Sequence, residues 1–295
     1  MGFEELRKVI HLSHTQNLHQ SALALDLTVG ALSKFLKKIE TQLSVKLFDR
    51  VGRHIVINEH GQRFCLYAQQ LVHEYDQMCS EFNSAHQTIK VAGPAILLSS
   101  YTNILTQALN TQNQTLKLQN VYEGQAIELL AKGQIDIALV THEAKQDWQS
   151  LAMSALDLGQ VEYQVFVAQQ HPLSAECKAV AMKKLLTYPF VCPERSPFCG
   201  VERGIGSDNW PDHHYARNIA YRSDDLQSQL SIMNAAQAIS YLPSIVGHQS
   251  QLIPLQIQEL ASLPTPTENI CLVYKPSMAS GWLSQFVTKL SQNDM

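Results

Sequence analysis

Polar residues at helical spacing make the first candidate chemistry of the chain. Placed on a helical wheel with Leu32 at 0°, Leu36, Ile39 and Leu43 fall within about 40° of it with Phe35 close by, while Ser33, Lys37, Gly30 and Lys34 occupy roughly 100° to 200°. A hydroxyl, a glycine and two lysines on one face suit close approach to a polyanion, although a lone solvated helix carries the same types. Farther along, Arg50 and Arg53 flank a glycine turn that leads into the β-like run 54–57. That pattern predicts a wing, with Arg53 toward a minor groove and Arg50 toward phosphate; an ordinary hairpin with solvated arginines is the plainer reading.

No catalytic constellation competes. Gly204-Ile205-Gly206-Ser207 lacks the third glycine and the strand-to-helix setting of a dinucleotide loop, and there is no Walker lysine. His213 and His214 stand among Asp208, Trp210, Pro211, Asp212 and Tyr215, which reads as a polar surface loop rather than a metal site. The six cysteines, at 65, 79, 177, 192, 199 and 271, form no CxxC pair. The chain is accordingly expected to be no enzyme, to hold no cofactor or metal, and to keep its thiols reduced.

The elements that would position the cationic face are short helices joined by tight turns. Leu6, Val9 and Ile10 share a face of a first helix ending near 14, a second helix covers 19–25, and Thr28 caps a third that runs to about 42. Two helices joined by a three- to four-residue turn, the second basic on its outer side, make the helix-turn-helix arrangement that enters a major groove. After Asn58 comes a long helix of roughly 28 residues, about 42 Å. In it Phe64, Ala68, Leu71, Tyr75, Met78 and Phe82 alternate at spacings of four and three, a heptad seam that predicts dimerisation, although core packing within one chain generates the same seam. From 89 onward, strand candidates at 89–93, 116–121, 135–140, 162–168, 188–192, 218–221, 239–242 and 270–274 alternate with helical gaps, predicting a parallel-rich α/β domain with ligands at the carboxyl ends of its strands.

Length and charge fit this division. The 295 residues, 45% hydrophobic and 16% charged, suffice for more than one core. The net charge of −4 argues against nucleic acid only if the chain is one surface. Residues 1–65 hold nine Lys/Arg against six Asp/Glu, a +3 head, which leaves −7 on the rest. The first residues, MGFEELRKVI, form no signal core, and the uncharged stretches 91–116 and 226–258 are too rich in Gln, Asn, Ser and Thr to span a bilayer. A soluble, cytoplasmic protein without membrane contact is expected.

The stretch LHQSALALDLTVGALSKFLKKIE, followed by LSVKLFDRVGRHIVINEHG, resembles the winged helix-turn-helix of LysR-type transcriptional regulators. Residues 133–139 (GQIDIAL) resemble the family's G-x-L-D-L-A-I segment, 171–173 its HPL turn, and 238–243 (AISYLP) its G-I-x-x-L-P strand, so the likeness covers the whole chain. It implies a DNA-binding domain at 1–60, a linker and dimerisation helix at 61–88, and an effector domain at 89–295 similar to periplasmic solute-binding proteins. Subdomain I would hold 89–160 and 266–295, and subdomain II 161–265. It also implies a homodimer or homotetramer on double-stranded promoter DNA, a small-molecule effector in the interdomain cleft, and RNA polymerase as a candidate partner.

Carried onto this sequence, the family's Ser-Gln-Pro at the start of the reading helix falls on Thr28, Val29 and Gly30, so the base code is expected to differ. The implied effector cleft is lined by Ala95, Ser99 and Ser100, by Thr141 and His142, and by Cys192 and Ser223, with Pro94, Ile96 and Pro193 beside them. Ala95 and Leu97 replace anion-binding hydroxyls, and Ala236 and Ala238 replace glycines, which favours neutral or aromatic effectors over dicarboxylates, or no effector at all. Two other readings stay open: a solute-binding protein for transport, and a redox-responsive regulator using Cys199.

Overall fold

The structure, a computed structural model, describes residues 1–51, 54–82, 87–109, 114–176, 178–260, 263, 265–276, 284 and 286–289. The fold divides into two compact units, residues 1–87 with 131–134, and 88–130 with 135–295.

In the first unit, α1 (Phe3–Thr15), α2 (Leu18–Ala24) and α3 (Val29–Leu43) precede a hairpin of β1 (Phe48–Val51) and β2 (His54–Ile57), and then the long α4 (Glu59–Phe82). Sequence chemistry sets the boundaries. Asn17 caps α2 by accepting from the amides of His19 and Gln20, and Thr28 caps α3 by accepting from Ala31 N at 3.1 Å. Leu32, Leu36 and Ile39 bury the apolar stripe of α3 against Val9, Leu12, Ala22, Leu47 and Ile55. Glu40 then fixes the exit, its Oε1 accepting from the amides of Leu47 and Phe48 at 2.8 and 3.2 Å. Asn58 Oδ1 accepts from Gly61 N at 2.9 Å at the start of α4, and Gly61 passes so close that a Cβ there would lie 2.1 Å from Leu47 O.

The second unit is built on a seven-stranded sheet in the order β10-β6-β11-β5-β3-β4, with β9 also on β6. Its strands are β3 (Gln87–Gly93), β4 (Gln114–Asn120), β5 (Ile137–Thr141), β6 (Ser154–Val167), β9 (Ser240–Pro243), β10 (Ile253–Leu255) and β11 (Thr267–Tyr274); β7 (Phe190–Cys192) and β8 (Ile219–Arg222) pair separately. The helices are α5 (Ala95–Ala108), α6 (Glu123–Ala131), α7 (Lys145–Gln149), α8 (Met182–Leu185), α9 (Leu226–Ala236) and α10 (Ser244–Gln249).

The parallel-rich expectation needs correction. β3 with β5 and β7 with β8 are parallel, but β5, β6, β9, β10 and β11 join through antiparallel ladders. The cause is β6, expected only from 162 and present from 154. Over 154–162 it pairs with β11; over 163–166 it pairs with β9, and over 165–167 with β10. Asp157 and Gly159 break the apolar pattern of its first half because a bulge lies there: the register with β11 shifts between Asn269 and Cys271, and Gly159 sits at φ 97°. The short edge strand β10 had no readable signal, since Pro254 stands in its middle.

Candidate DNA-reading face and ligand cavity

The side of α3 away from the core presents Gly30, Lys34 and Lys37 to solvent, with Thr28 exposed at its start and Val29 and Ser33 half-buried. Lys38, on the neighbouring side, is tied to Glu5 of α1 at 3.0 Å. Arg50 is exposed on β1 and Arg53 lies outside the described residues. Of the cations expected to meet DNA, the structure thus leaves Lys34, Lys37 and Arg50 outward, and Lys46 and Arg63 of the same unit are exposed as well. A capped, well-packed helix holding two lysines outward can meet phosphates without rearranging its core.

The heptad seam of α4 divides. Ala68 is buried with Leu6 and Val72, Phe64 packs beside them, and Tyr75 stacks on Phe3 with ring centroids 3.9 Å apart. Arg7 and Asp76 pair beside that stack, so these positions hold α1 to α4 within the chain. Leu71 and Met78 are about half exposed; Tyr67, on their side of the helix, is two-thirds exposed, and Leu66, nearly half exposed, lies roughly 120° from them. The side chain of Phe82 lies outside the described residues.

In the second unit, a cavity of about 310 Å³ opens where α5 begins, at the ends of β7 and β9 and beside the first turn of α9. Of the expected positions Ala95 lines it, with Ile96 and Pro193. The others stand outside the lining, each for a local reason. Ser99 Oγ donates to Ile96 O of its own helix, Ser100 is buried, and the Thr141 amide donates to the buried Glu123. His142 faces solvent, Cys192 is buried on β7, and Ser223 Oγ donates to Asp225 O. The cavity wall instead includes Asp208, Asp224 and Asp225, Gln229, and the paired rings of Tyr163 and Tyr241. Only Asp225 had a sequence signal, as an N-cap ahead of an apolar helix; the rest meet through the strand crossing. The two tyrosines also line a larger opening of about 780 Å³ over β6 and β10.

Electrostatics around the cavity are largely settled within the chain. Arg217 has no exposed side-chain surface and binds Asp208 through two bonds of 2.7 Å and Asp212 at 3.1 and 3.2 Å, against the paired rings of Phe190 and Trp210. Burial alone would lower its pKa, but the two carboxylates outweigh that and hold it charged. Nearby, Arg203 pairs with Glu143 at 2.6 Å, and burial beside Glu143 and Glu123 pushes the Glu268 carboxyl up to about 7 against the pull of Arg203. Burial also raises the Cys192 and Cys271 thiols to about 11, so neither supplies a thiolate near neutrality; Cys199 is half-buried. Among the described residues no His/Cys/Asp/Glu group has metal-binding geometry, and no helix is long and apolar enough to cross a membrane.

Two family models match the chain: "LysR substrate binding domain" over residues 83–293, and "Bacterial regulatory helix-turn-helix protein, lysR family" over residues 3–62. The chain is 23% identical over 269 residues to the uncharacterized HTH-type transcriptional regulator YybE of Bacillus subtilis, spanning 87% of this chain and 88% of that protein. It is 26% identical over 170 residues to the HTH-type transcriptional regulator HdfR of Yersinia enterocolitica, spanning 56% of this chain and 57% of that one. Full-length OxyR C199D from Pseudomonas aeruginosa matches with a TM-score of 0.63 at 16% identity, over 100% of this chain and 94% of that one. Full-length CbnR complexed with its target DNA matches with a TM-score of 0.57 at 16% identity, over 99% of each chain. At such identities the structural likeness speaks to the fold alone.

Proposed function

Because the chain belongs to the LysR family of DNA-binding transcriptional regulators with an effector domain, we propose that α3 is its reading helix and that a small molecule in the cavity beside α9 governs its action. Residues 1–60 are the reading head, 61–88 the linker, and 89–295 the effector domain, with subdomains at 89–160 plus 266–295 and at 161–265. Thr28 caps the helix and touches phosphate, Val29, Gly30 and Ser33 face base edges, Lys34 and Lys37 meet phosphate or base edges, Arg50 meets phosphate, and Arg53 of the wing enters the minor groove. Val29 in place of a hydrogen-bonding residue restricts that position to apolar contacts such as a thymine methyl. The protein works as a homo-oligomer in the cytoplasm, on promoter DNA and beside RNA polymerase, by binding rather than catalysis.

The observation that carries this reading is the outward pair Lys34 and Lys37 on a helix capped by Thr28 and sealed by Leu32, Leu36 and Ile39. The test is titration of an operator fragment, recovered by genome-wide binding, against wild type and the Lys34→Ala and Lys37→Ala variants over a range of salt. Each variant is expected to bind several-fold more weakly and to reduce the slope of log affinity against log salt by about two, about one for each of two bound heads. Unchanged binding and slope in both would sink the assignment of α3.

A further inference from the structure

The groups with which a protein usually binds a carboxylate or phosphate are free backbone amides at strand ends and helix N-termini, helped by Lys or Arg. In this cavity the chain has filled them itself. Asp224 Oδ1 accepts from the amides of Glu194 and Arg195 at 2.8 and 3.0 Å, just past β7. Asp225 Oδ2 accepts from Ser228 N at 2.7 Å at the head of α9, and bonds from Ser228 hold that carboxyl below its ordinary pKa. The nearest buried cation, Arg217, is consumed by Asp208 and Asp212. Arg222, outside the lining, donates to Ile205 O at 3.0 Å and to Cys192 Sγ at 3.9 Å. Among the described residues lining the cavity there is no Lys, Arg or His.

What remains is a small, mostly apolar chamber whose rim carries two carboxylates, Asp224 and Asp225, bonded to backbone amides and with no cation among the described lining residues. Ile96, Pro193, Leu226 and Leu242 supply apolar wall, and Tyr163 and Tyr241, ring centroids 5.5 Å apart, supply aromatic surface. An anionic ligand would have to displace Asp224 from its two amides and then stand beside like charges. A cation would meet both carboxylates and an aromatic wall without displacing anything. The volume of about 310 Å³ is roughly twice the ~150 Å³ that encloses a benzene-sized guest, enough for one ring and a short arm.

We propose that this cavity selects a small organic cation, an amine or amidine on an apolar body of about one ring, and discriminates against organic acids. The proposal rests on the effector reading above and gives that site its ligand class.

The test is calorimetric titration of the full chain at neutral pH with benzylamine, benzyl alcohol and benzoate, which share a body and differ in charge. Benzylamine is expected to bind about tenfold more tightly than benzyl alcohol, and benzoate more weakly than either. In an Asp224→Asn/Asp225→Asn variant, which keeps amide acceptors and a helix-capping side chain, amine and alcohol should converge to within about twofold while the alcohol itself is unchanged. Leu226→Lys, which sets a cation at the rim, should reverse the order of amine and benzoate. Benzoate binding as tightly as benzylamine, an amine preference that survives the double substitution, or no benzylamine binding up to about 10 mM would each overturn the proposal. A parallel operator titration separates the two readings: loss of operator binding tells against the regulator, whereas the charge order of the three ligands tells for or against the cation site alone.

Discussion

Glu268 shows how a single side chain ties the effector domain to pH. It is 6% exposed on β11, faces Glu143, Glu123 and Arg203, and is pushed from an ordinary 4.5 up to about 7. Because its folded pKa lies above its unfolded one, the native state holds the proton more firmly, so its contribution to stability is intact below the unfolded value and drains away as pH rises from about 4.5 through 7. Glu268→Gln removes the titration. Relative to wild type it should gain about 2 kcal/mol between pH 5 and pH 8, a melting-temperature advantage of several degrees at the alkaline end that shrinks on acidification. Thermal unfolding of both proteins across that range checks it; a constant difference would mean Glu268 is ionised at an ordinary pKa. None of this was legible from the sequence, because Glu268 lies 125 residues from Glu143 and no local pattern brings them together. The outward placement of Lys34 and Lys37, by contrast, followed from helix periodicity alone, since α3 is amphipathic and its stripe and polar face belong to fifteen consecutive residues.

At the scale of elements, β6 is the feature on which the effector domain turns. One strand serves two sets of neighbours, and the change occurs between Glu162 and Tyr163, where Tyr163 N donates to Pro266 O at 3.1 Å. The bulge at Gly159 precedes that change by a few residues. No heavy atom lies within 4 Å of where a Cβ would stand at Gly159, so its requirement is one of backbone conformation at φ 97° and not of space. Gly159→Ala should therefore cost about 1–2 kcal/mol and lower the melting temperature by a few degrees without altering the cavity wall. Denaturant unfolding of this variant measures it, and a neutral outcome would show that the strand relaxes to negative φ at no cost. The same bulge explains why only the second half of β6 was predicted. Strand patterns are read from alternation, and a residue inserted into the ladder flips the alternation on either side of it. Helix caps suffer no such interruption, which is why Asn17 and Thr28 mark their boundaries to within a residue or two.

At the scale of the whole molecule, the charge of −4 combines +3 over residues 1–65 with an acidic remainder, and a single head of so small a net charge binds DNA weakly at physiological salt. Tight binding then requires two heads acting together. The surface that would join them is the exposed apolar side of α4, Tyr67, Leu71 and Met78, which α1 leaves uncovered while Ala68 and Tyr75 are engaged within the chain. Tethering two heads makes the second encounter intramolecular, so affinity rises by roughly 10² to 10⁴ with no new contact, and the counterions released, and with them the salt slope, double. Leu71→Asp with Met78→Asp places two charges on that side without disturbing the residues that hold α1. Sedimentation should find this variant monomeric, with operator affinity lower by at least about a hundredfold and a salt slope near half that of wild type. The two readouts constrain each other: a monomer with an undiminished salt slope would mean that one head supplies all the phosphate contacts, and a variant that stays oligomeric would move the interface off α4.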